Sequence, residues 1–409
     1  MIEGVSTNRL NPGLVFLRNE TIDFENGEQV YFSPFEAFIR ASVAEKRSFR
    51  FIIPVSDTSA KFADSIVDAN VIKIRSTRGI LRGSCAIPEL IGTLLALRRR
   101  EKINLVVARV PEHLNFLLLP LLWMLGFQIL IWLVHDRQKV EHANRAQRAG
   151  VRARLSHLVS VLIGVVESRF LARTPTVSNG ERLAKRYCRN NNNVRVVYST
   201  LVTTLERDEI SAYSRDYRYN PHELTIVYAG RVSVEKGIDR LIDFFEALRR
   251  ASLDRNVRCR CVIAGKVDDT MRDYLSSRLS AAEGRADVTV VGFVKRGIAL
   301  WKIFAESDFL CLLSVAEGTP RIVPEAFACG LPVVISDDAN SDSVVGDQML
   351  KLQNDDISGL AERVLSKFLD RQEYLRARAQ VLSQSKNYTL EGVQELFETM
   401  GREAVEQGQ

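Results

Sequence analysis

The sequence predicts an α/β fold made of two doubly wound domains. Short β-branched runs alternate with helical patterns, the alternation stops at a polar stretch, and it then restarts. In the first half the runs GLVFLRN, RFIIPVS, INLVVARV and ILIWLVHD read as strands. Between them, PFEAFIRASVAEK, ELIGTLLALRRR and an apolar segment read as crossover helices, so the strands are expected to be parallel. Residues 206–222 lack an apolar period and end in Asn-Pro-His, which predicts an interdomain linker. The pattern resumes with LTIVYAGR, a helix over 237–250, RCVIAG, a helix over 271–282, VTVVGFV, a helix over 299–306, DFLCLLS, a helix over 320–329 and PVVISD. These readings divide the chain into residues 1–205, a linker 206–222, a second domain 223–386 and a C-terminal segment 387–409. That last segment has helically spaced apolar residues at Leu390, Val393, Leu396 and Phe397, and so needs an apolar surface to cover it.

Length and composition agree with two folded domains. The 409 residues exceed one ordinary core, and 46% hydrophobic with 26% charged residues argues against both a disordered chain and a polytopic membrane protein. The six cysteines form no CxxC pair and have no histidines at metal-ligand spacing, so they are expected to be free core thiols in a reducing compartment. No basic and then apolar leader opens the sequence, which predicts a cytoplasmic protein. Residues 114–134 are uncharged and long enough to cross a bilayer. Pro120, Gly126 and Gln128 punctuate them, however, and predict a buried helix ending at Gly126 followed by a buried strand.

Ligands of open parallel sheets bind outside the carboxyl ends of the strands, so those ends carry the chemistry. In the second half they are marked by Gly230-Arg231, Gly265-Lys266, Gly292-Phe293 and Ser314-Val315-Ala316-Glu317. Arg231 closes a strand and Lys236 precedes a helix, and two cations beside a helix N-terminus suit a phosphate group. The plain alternatives are glycines that only make turns and basic residues that are only solvated. Glu317 and Glu325 are separated by seven residues, and Gly318-Thr319-Pro320 is expected to open the helix between them. A carboxylate at 325 could then reach a ribose hydroxyl pair and one at 317 the sugar. No Asp-x-Asp element is present, so no catalytic metal and no other cofactor is expected.

The segments YAGRVSVEKGIDRLI, VIAGK, VVGFV and SVAEGTPRIVPEAFACGLPVVISD resemble the C-terminal half of GT-B glycosyltransferases of the retaining family 4, with Glu317 and Glu325 as its E-x7-E element. The resemblance implies two Rossmann-like domains facing across a cleft and a C-terminal helix that crosses back to the first. It implies a UDP- or GDP-sugar donor and retaining, metal-independent hexosyl transfer to a saccharide, lipid-linked or small-molecule hydroxyl, as in surface polysaccharide or glycolipid synthesis. By the same resemblance Arg231 and Lys236 hold the diphosphate, Glu325 the ribose and Glu317 the transferred sugar, with Gly230, Gly265, Gly318, Thr319 and Pro320 supplying close backbone contacts. His135 matches a histidine beside the donor sugar. Asn26 and Gly27 occupy the place of the acceptor loop, with one glycine where many members have two, and Arg109 ends a strand toward the acceptor. Tyr198-Ser199-Thr200-Leu201 stands where the family has an asparagine-glycine-valine turn. Two other readings fit the same residues, a sugar-nucleotide epimerase and a catalytically silent partner subunit.

The net charge of +6 has a location. Arg137, Lys139, Arg145, Arg148, Arg152 and Arg154 precede the apolar LVSVLIGVV, a pattern that suits the inner face of an anionic membrane or, equally, a solvated helix face. Nucleic acid is not an expected partner, because stacking aromatics do not interleave with these basic residues.

Overall fold

The computed structural model describes residues 13–17, 24–25, 28–29, 34–55, 70–75, 80–112, 114–136, 151–267, 269–281, 287–315, 319–337 and 349–407. The chain forms two units, Met1–Val197 with Glu391–Gln409, and Tyr198–Leu390.

In the first unit the strands are β1 (Leu14–Leu17), β2 (Phe24–Glu25), β3 (Glu28–Gln29), β4 (Phe49–Val55), β5 (Val71–Arg75), β6 (Leu105–Val110), β7 (Gln128–Leu133), β8 (Thr176–Asn179) and β9 (Val194–Val197). Strands β2 and β3 make a small antiparallel pair, and the others join in one parallel sheet of order β5-β4-β1-β6-β7-β8-β9. Every residue of β1 is buried, as expected for a strand covered on both faces. The expected crossover helices are present as α1 (Pro34–Ala44), α2 (Ile80–Glu101) and α3 (Asn115–Met124), followed by α4 (Val151–Leu171) and α5 (Glu181–Tyr187). Residues 114–134 divide as their punctuation predicts, with Gly126 at φ +72 turning the chain from α3 into β7. Among the described residues no helix is long and apolar enough to cross a membrane.

The second unit holds α6 (Thr204–Tyr213), β10 (Glu223–Ala229), α7 (Ile238–Ser252), β11 (Arg258–Ala264), α8 (Asp269–Ala281), β12 (Val288–Gly292), α9 (Ile298–Ala305), β13 (Phe309–Leu312), α10 (Ile322–Ala328), β14 (Val333–Ser336), β15 (Leu350–Leu352), α11 (Ile357–Leu369) and α12 (Arg371–Gln384). Its sheet is parallel, in the order β12-β11-β10-β13-β14-β15. The stretch 206–222 differs from the expected linker. It begins inside α6, whose N-cap Thr203 and Glu206 form a capping box.

Helix α13 (Leu390–Gln407) packs on the first unit, as expected for a helix that returns to it. Val393, Phe397, Met400 and Ala404 are buried at helical spacing. Phe397 meets Phe16 and Trp132 at ring-centroid distances of 5.2 and 5.1 Å. Beside them Arg47 pairs with Glu398 at 2.7 Å, and the Gln394 amide donates to the Phe38 carbonyl at 2.7 Å. Five of the cysteines are buried free thiols, as expected, whereas Cys85 is exposed.

Candidate functional site

The second sheet reverses its winding between β10 and β13, and ligands of open parallel sheets bind outside the carboxyl ends of the strands at such a point. The loop from β10 into α7 lies at this point. Ser233 accepts from the Lys236 amide at 3.4 Å and so fixes a short 3₁₀ turn over Val234–Lys236. Gly237 follows at φ +73, and a Cβ there would stand 2.0 Å from the Leu313 carbonyl oxygen, so only glycine lets the loop lie this close to the end of β13. The Val315 amide donates to the Glu235 carbonyl at 3.0 Å from the other side. A Cβ at Gly265 would stand 1.8 Å from the Gly230 carbonyl oxygen, so the ends of β10 and β11 are pressed together as well. Tyr228 donates its hydroxyl to the Arg231 carbonyl at 2.6 Å and holds the backbone there.

This packed loop carries both expected cations. The Arg231 side chain is 59% exposed, with Glu235 at 3.7 Å, a separation at which a solvated ion pair adds little. Lys236 is half-buried and immediately precedes Gly237, the N-cap of α7. The structure therefore brings Gly230, Arg231, Lys236 and Gly265 together at the positive end of a helix.

Glu325, in α10, is 3% exposed. Its Oε1 accepts from Arg296 Nε at 3.1 Å and its Oε2 from Trp301 Nε1 at 3.2 Å. Arg296 also grips Glu206, through Nη1 at 2.7 Å and Nη2 at 3.1 Å, and donates from Nη2 to the Leu201 carbonyl at 3.2 Å. Burial pushes the Glu325 carboxyl above its ordinary value, and Arg296 and Trp301 oppose that only in part. Burial acts on Glu206 in the same sense, but there the Arg296 and Thr203 hydrogen bonds outweigh it and hold the carboxyl below its ordinary value. Arg296 and Glu206 were not among the expected site residues. The signal for Glu206 was the Thr-x-x-Glu spacing of its capping box.

Helix α10 begins at Ile322, two residues later than the expected opening at Pro320. The Pro320 carbonyl instead accepts from the Val323 amide at 3.1 Å and from the buried Tyr198 hydroxyl at 2.8 Å. Tyr198, at the unusual Tyr-Ser-Thr-Leu stretch, thus fixes the loop that carries Thr319. Glu317 and Gly318 lie outside the described residues, as do Asn26, Gly27, Arg137, Lys139, Arg145 and Arg148, and the side chains of Arg152 and Arg154.

The first unit brings two of its expected residues together, with Arg109 Nη2 3.4 Å from His135 Nε2. Arginine only donates, so the contact is a hydrogen bond when the imidazole carries its proton on Nδ1. Asn115 donates to the Arg109 carbonyl at 3.0 Å and to the buried Glu167 at 2.8 Å, which fixes the end of β6. Asp136 accepts from Arg186 and from the Tyr187 hydroxyl, each at 2.7 Å, and so anchors the chain just after His135.

A separate concavity of about 480 Å³ lies at the amino end of the second sheet, lined by Tyr213, Tyr217, Arg218, Lys302 and Asp308 among others. Asp308 is committed to the Thr225 amide, Tyr217 and Tyr374, which makes this a structural cluster away from the strand ends that carry the cations.

Residues 210–382 match the family model of glycosyl transferases group 1. This match lies within the second unit and covers less than half of the chain. Among relatives, an uncharacterized glycosyltransferase of Methanocaldococcus jannaschii is 33% identical over 132 residues, 32% of each chain. A GDP-mannose-dependent alpha-(1-6)-phosphatidylinositol dimannoside mannosyltransferase of Mycobacterium tuberculosis is 31% identical over 122 residues, 30% of this chain and 29% of that one. The chain thus spans about a third of the length of these curated relatives. Solved structures resemble it over nearly the whole chain. Anabaena HepE in complex with UDP has a TM-score of 0.61 at 15% identity, covering 96% of this chain and 98% of that one. Sucrose-phosphate synthase from Thermosynechococcus elongatus has a TM-score of 0.64 at 14% identity, covering 97% and 100%. The fold is the GT-B class of α/β glycosyltransferases.

Proposed function

We propose that the chain is a retaining glycosyltransferase that moves a hexosyl unit from a UDP- or GDP-sugar to an acceptor hydroxyl without a metal ion. The observation that carries this reading is the pair Arg231 and Lys236, set at the winding reversal before α7, on a loop that Gly237 and Gly265 press against neighbouring strand ends. As the glycosidic bond breaks, the departing diphosphate gains charge, and fixed cations with a helix N-terminus oppose that charge without reorganising. Glu325 has lone pairs left beyond those used by Arg296 and Trp301, and these accept the ribose hydroxyls. Glu317 and His135 contact the transferred sugar, while Asn26, Gly27 and Arg109 serve the acceptor, roles carried over from the family resemblance. Structural neighbours solved with UDP and with UDP-glucose, and a relative named for its use of GDP-mannose, support a nucleotide-sugar donor.

An association with the inner face of an anionic membrane is part of this proposal, and it favours a lipid-linked acceptor. Helix α4 exposes Val161, Leu162 and Val165, at 45%, 55% and 51%, on one face, which suits the headgroup boundary. The test is a thermal-shift screen of UDP- and GDP-sugars, then product analysis with and without acceptor in excess EDTA. A glycosylated product with the donor's anomeric configuration supports the proposal. Isomerised donor formed without acceptor favours an epimerase, and nucleotide-sugar binding without turnover favours a silent partner.

A further inference from the structure

We propose that Arg296 is the positioning residue for the donor ribose: it holds the Glu325 carboxylate in one orientation with its remaining lone pairs available, and Glu206 holds Arg296. The inference rests on the reading of Glu325 as the ribose contact. Three carboxylate oxygens and a backbone carbonyl, Leu201 O, surround one guanidinium through four N–H···O contacts of 2.7 to 3.2 Å. Glu206 alone would satisfy a surface arginine with its two-oxygen fork. The additional Nε contact reaches a side chain that is 4% exposed, and that contact is the one with a functional consequence.

A ribose diol presents two hydroxyl donors, so its partner must accept at both oxygens. A carboxylate does so, whereas a protonated acid has turned one oxygen into a donor. A carboxylate this deeply buried keeps its charge only with a cation beside it. Arg296 is that cation. The other groups against Glu325 are the Trp301 indole, which also donates, the Cys329 thiol, which burial keeps protonated, and the more distant Glu206 charge, which opposes ionisation. The order is built from local sequence. Thr203 and Glu206 exchange hydrogen bonds at 3.1 Å, the capping box fixes the Glu206 oxygens, these fix the guanidinium, and the guanidinium fixes Glu325. The positioning thus reaches from the first turn of α6 to the carboxylate on α10.

The test is calorimetric titration of the full chain with UDP and GDP and with their 2′- and 3′-deoxy counterparts, and with inorganic pyrophosphate as a probe of the phosphate loop alone. Wild type is expected to favour the ribonucleotide by about ten- to a hundredfold, the usual effect of a lost hydrogen bond to a charged group. Glu325→Gln and Arg296→Ala should each bring that ratio close to one while pyrophosphate binding stays unchanged, and Arg296→Lys should restore part of it. Glu206→Gln should give an intermediate ratio, and it carries the comparison if Arg296→Ala does not fold. If Glu325→Gln abolishes the preference but Arg296→Ala or Glu206→Gln leaves it within about twofold of wild type, Arg296 is a structural ion pair and the inference is overturned with the ribose reading intact. If Glu325→Gln itself leaves the preference unchanged, the ribose reading fails and the inference falls with it.

Discussion

Arg296 and Glu206 meet through a fork, Nη1 to Oε1 at 2.7 Å and Nη2 to Oε2 at 3.1 Å, although they stand 90 positions apart in the chain. A planar guanidinium matches a carboxylate in this geometry, and lysine does not. Glu206 is fixed in turn by Thr203, so the cap of α6 has an effect beyond its own helix. Thr203→Ala should lower stability by about 1 kcal/mol, the usual loss of an N-cap. Denaturant unfolding of purified variants checks this, and an unchanged midpoint would separate the cap from the network.

The same network sets a pH dependence with opposite signs at its two acids. Glu206 titrates below its ordinary value in the folded chain, so its contribution is present above about 4.5 and is lost as the pH falls through the folded value. Glu325 titrates above its ordinary value, so its contribution is present below that value and is lost as the pH rises through the folded one. The deficit of Glu206→Gln against wild type should therefore shrink only as the pH falls below about 4.5, while Glu325→Gln should gain on wild type as the pH rises above that value. Unfolding free energies measured across that range decide the matter. Parallel curves for both variants would contradict it.

Much of the second unit was legible in the sequence because its strands are apolar runs that end in glycine or a charged residue, as in LTIVYAGR and RCVIAG. Strand β8 was not legible for a specific reason. Its Thr176, Ser178 and Asn179 are buried yet polar: the two hydroxyls donate to nearby carbonyls and Asn179 accepts from Trp132 at 3.0 Å, so no apolar period marks it. The polar stretch from 206 read as a linker because helix propensity there is modest, but the capping box and the buried Ile210 order its first part. The cation pair of the candidate site was visible as a local motif. The Arg296 network was not, since it joins positions that only the fold brings together.

Gly237 should tolerate no side chain. At φ +73 an L residue is strained by about 1–2 kcal/mol, and the added Cβ would also overlap the Leu313 carbonyl oxygen. Gly237→Ala should lower the melting temperature and weaken pyrophosphate binding together, because the loop that carries Lys236 must move. Loss of stability with unchanged pyrophosphate affinity would place the phosphate contacts elsewhere.

Lys236 carries the most direct test of the proposed chemistry. If no metal neutralises the leaving diphosphate, the lysine ammonium matters more as the bond breaks than in the bound donor, and its removal should lower kcat, not only raise KM. Loss of such a contact costs about 2–4 kcal/mol, or roughly thirty- to a thousandfold in rate. Lys236→Ala should fall in that range. Arg231 is more exposed and leans toward Glu235, so Arg231→Ala should fall toward the lower end. Both cations act on one group, and the double variant should lose less than the product of the single losses. Steady-state kinetics on folded variants reads all three. If Lys236→Ala keeps more than about a third of wild-type turnover, a difference under about 0.7 kcal/mol, the lysine is a solvated surface residue and the diphosphate is stabilised by something else.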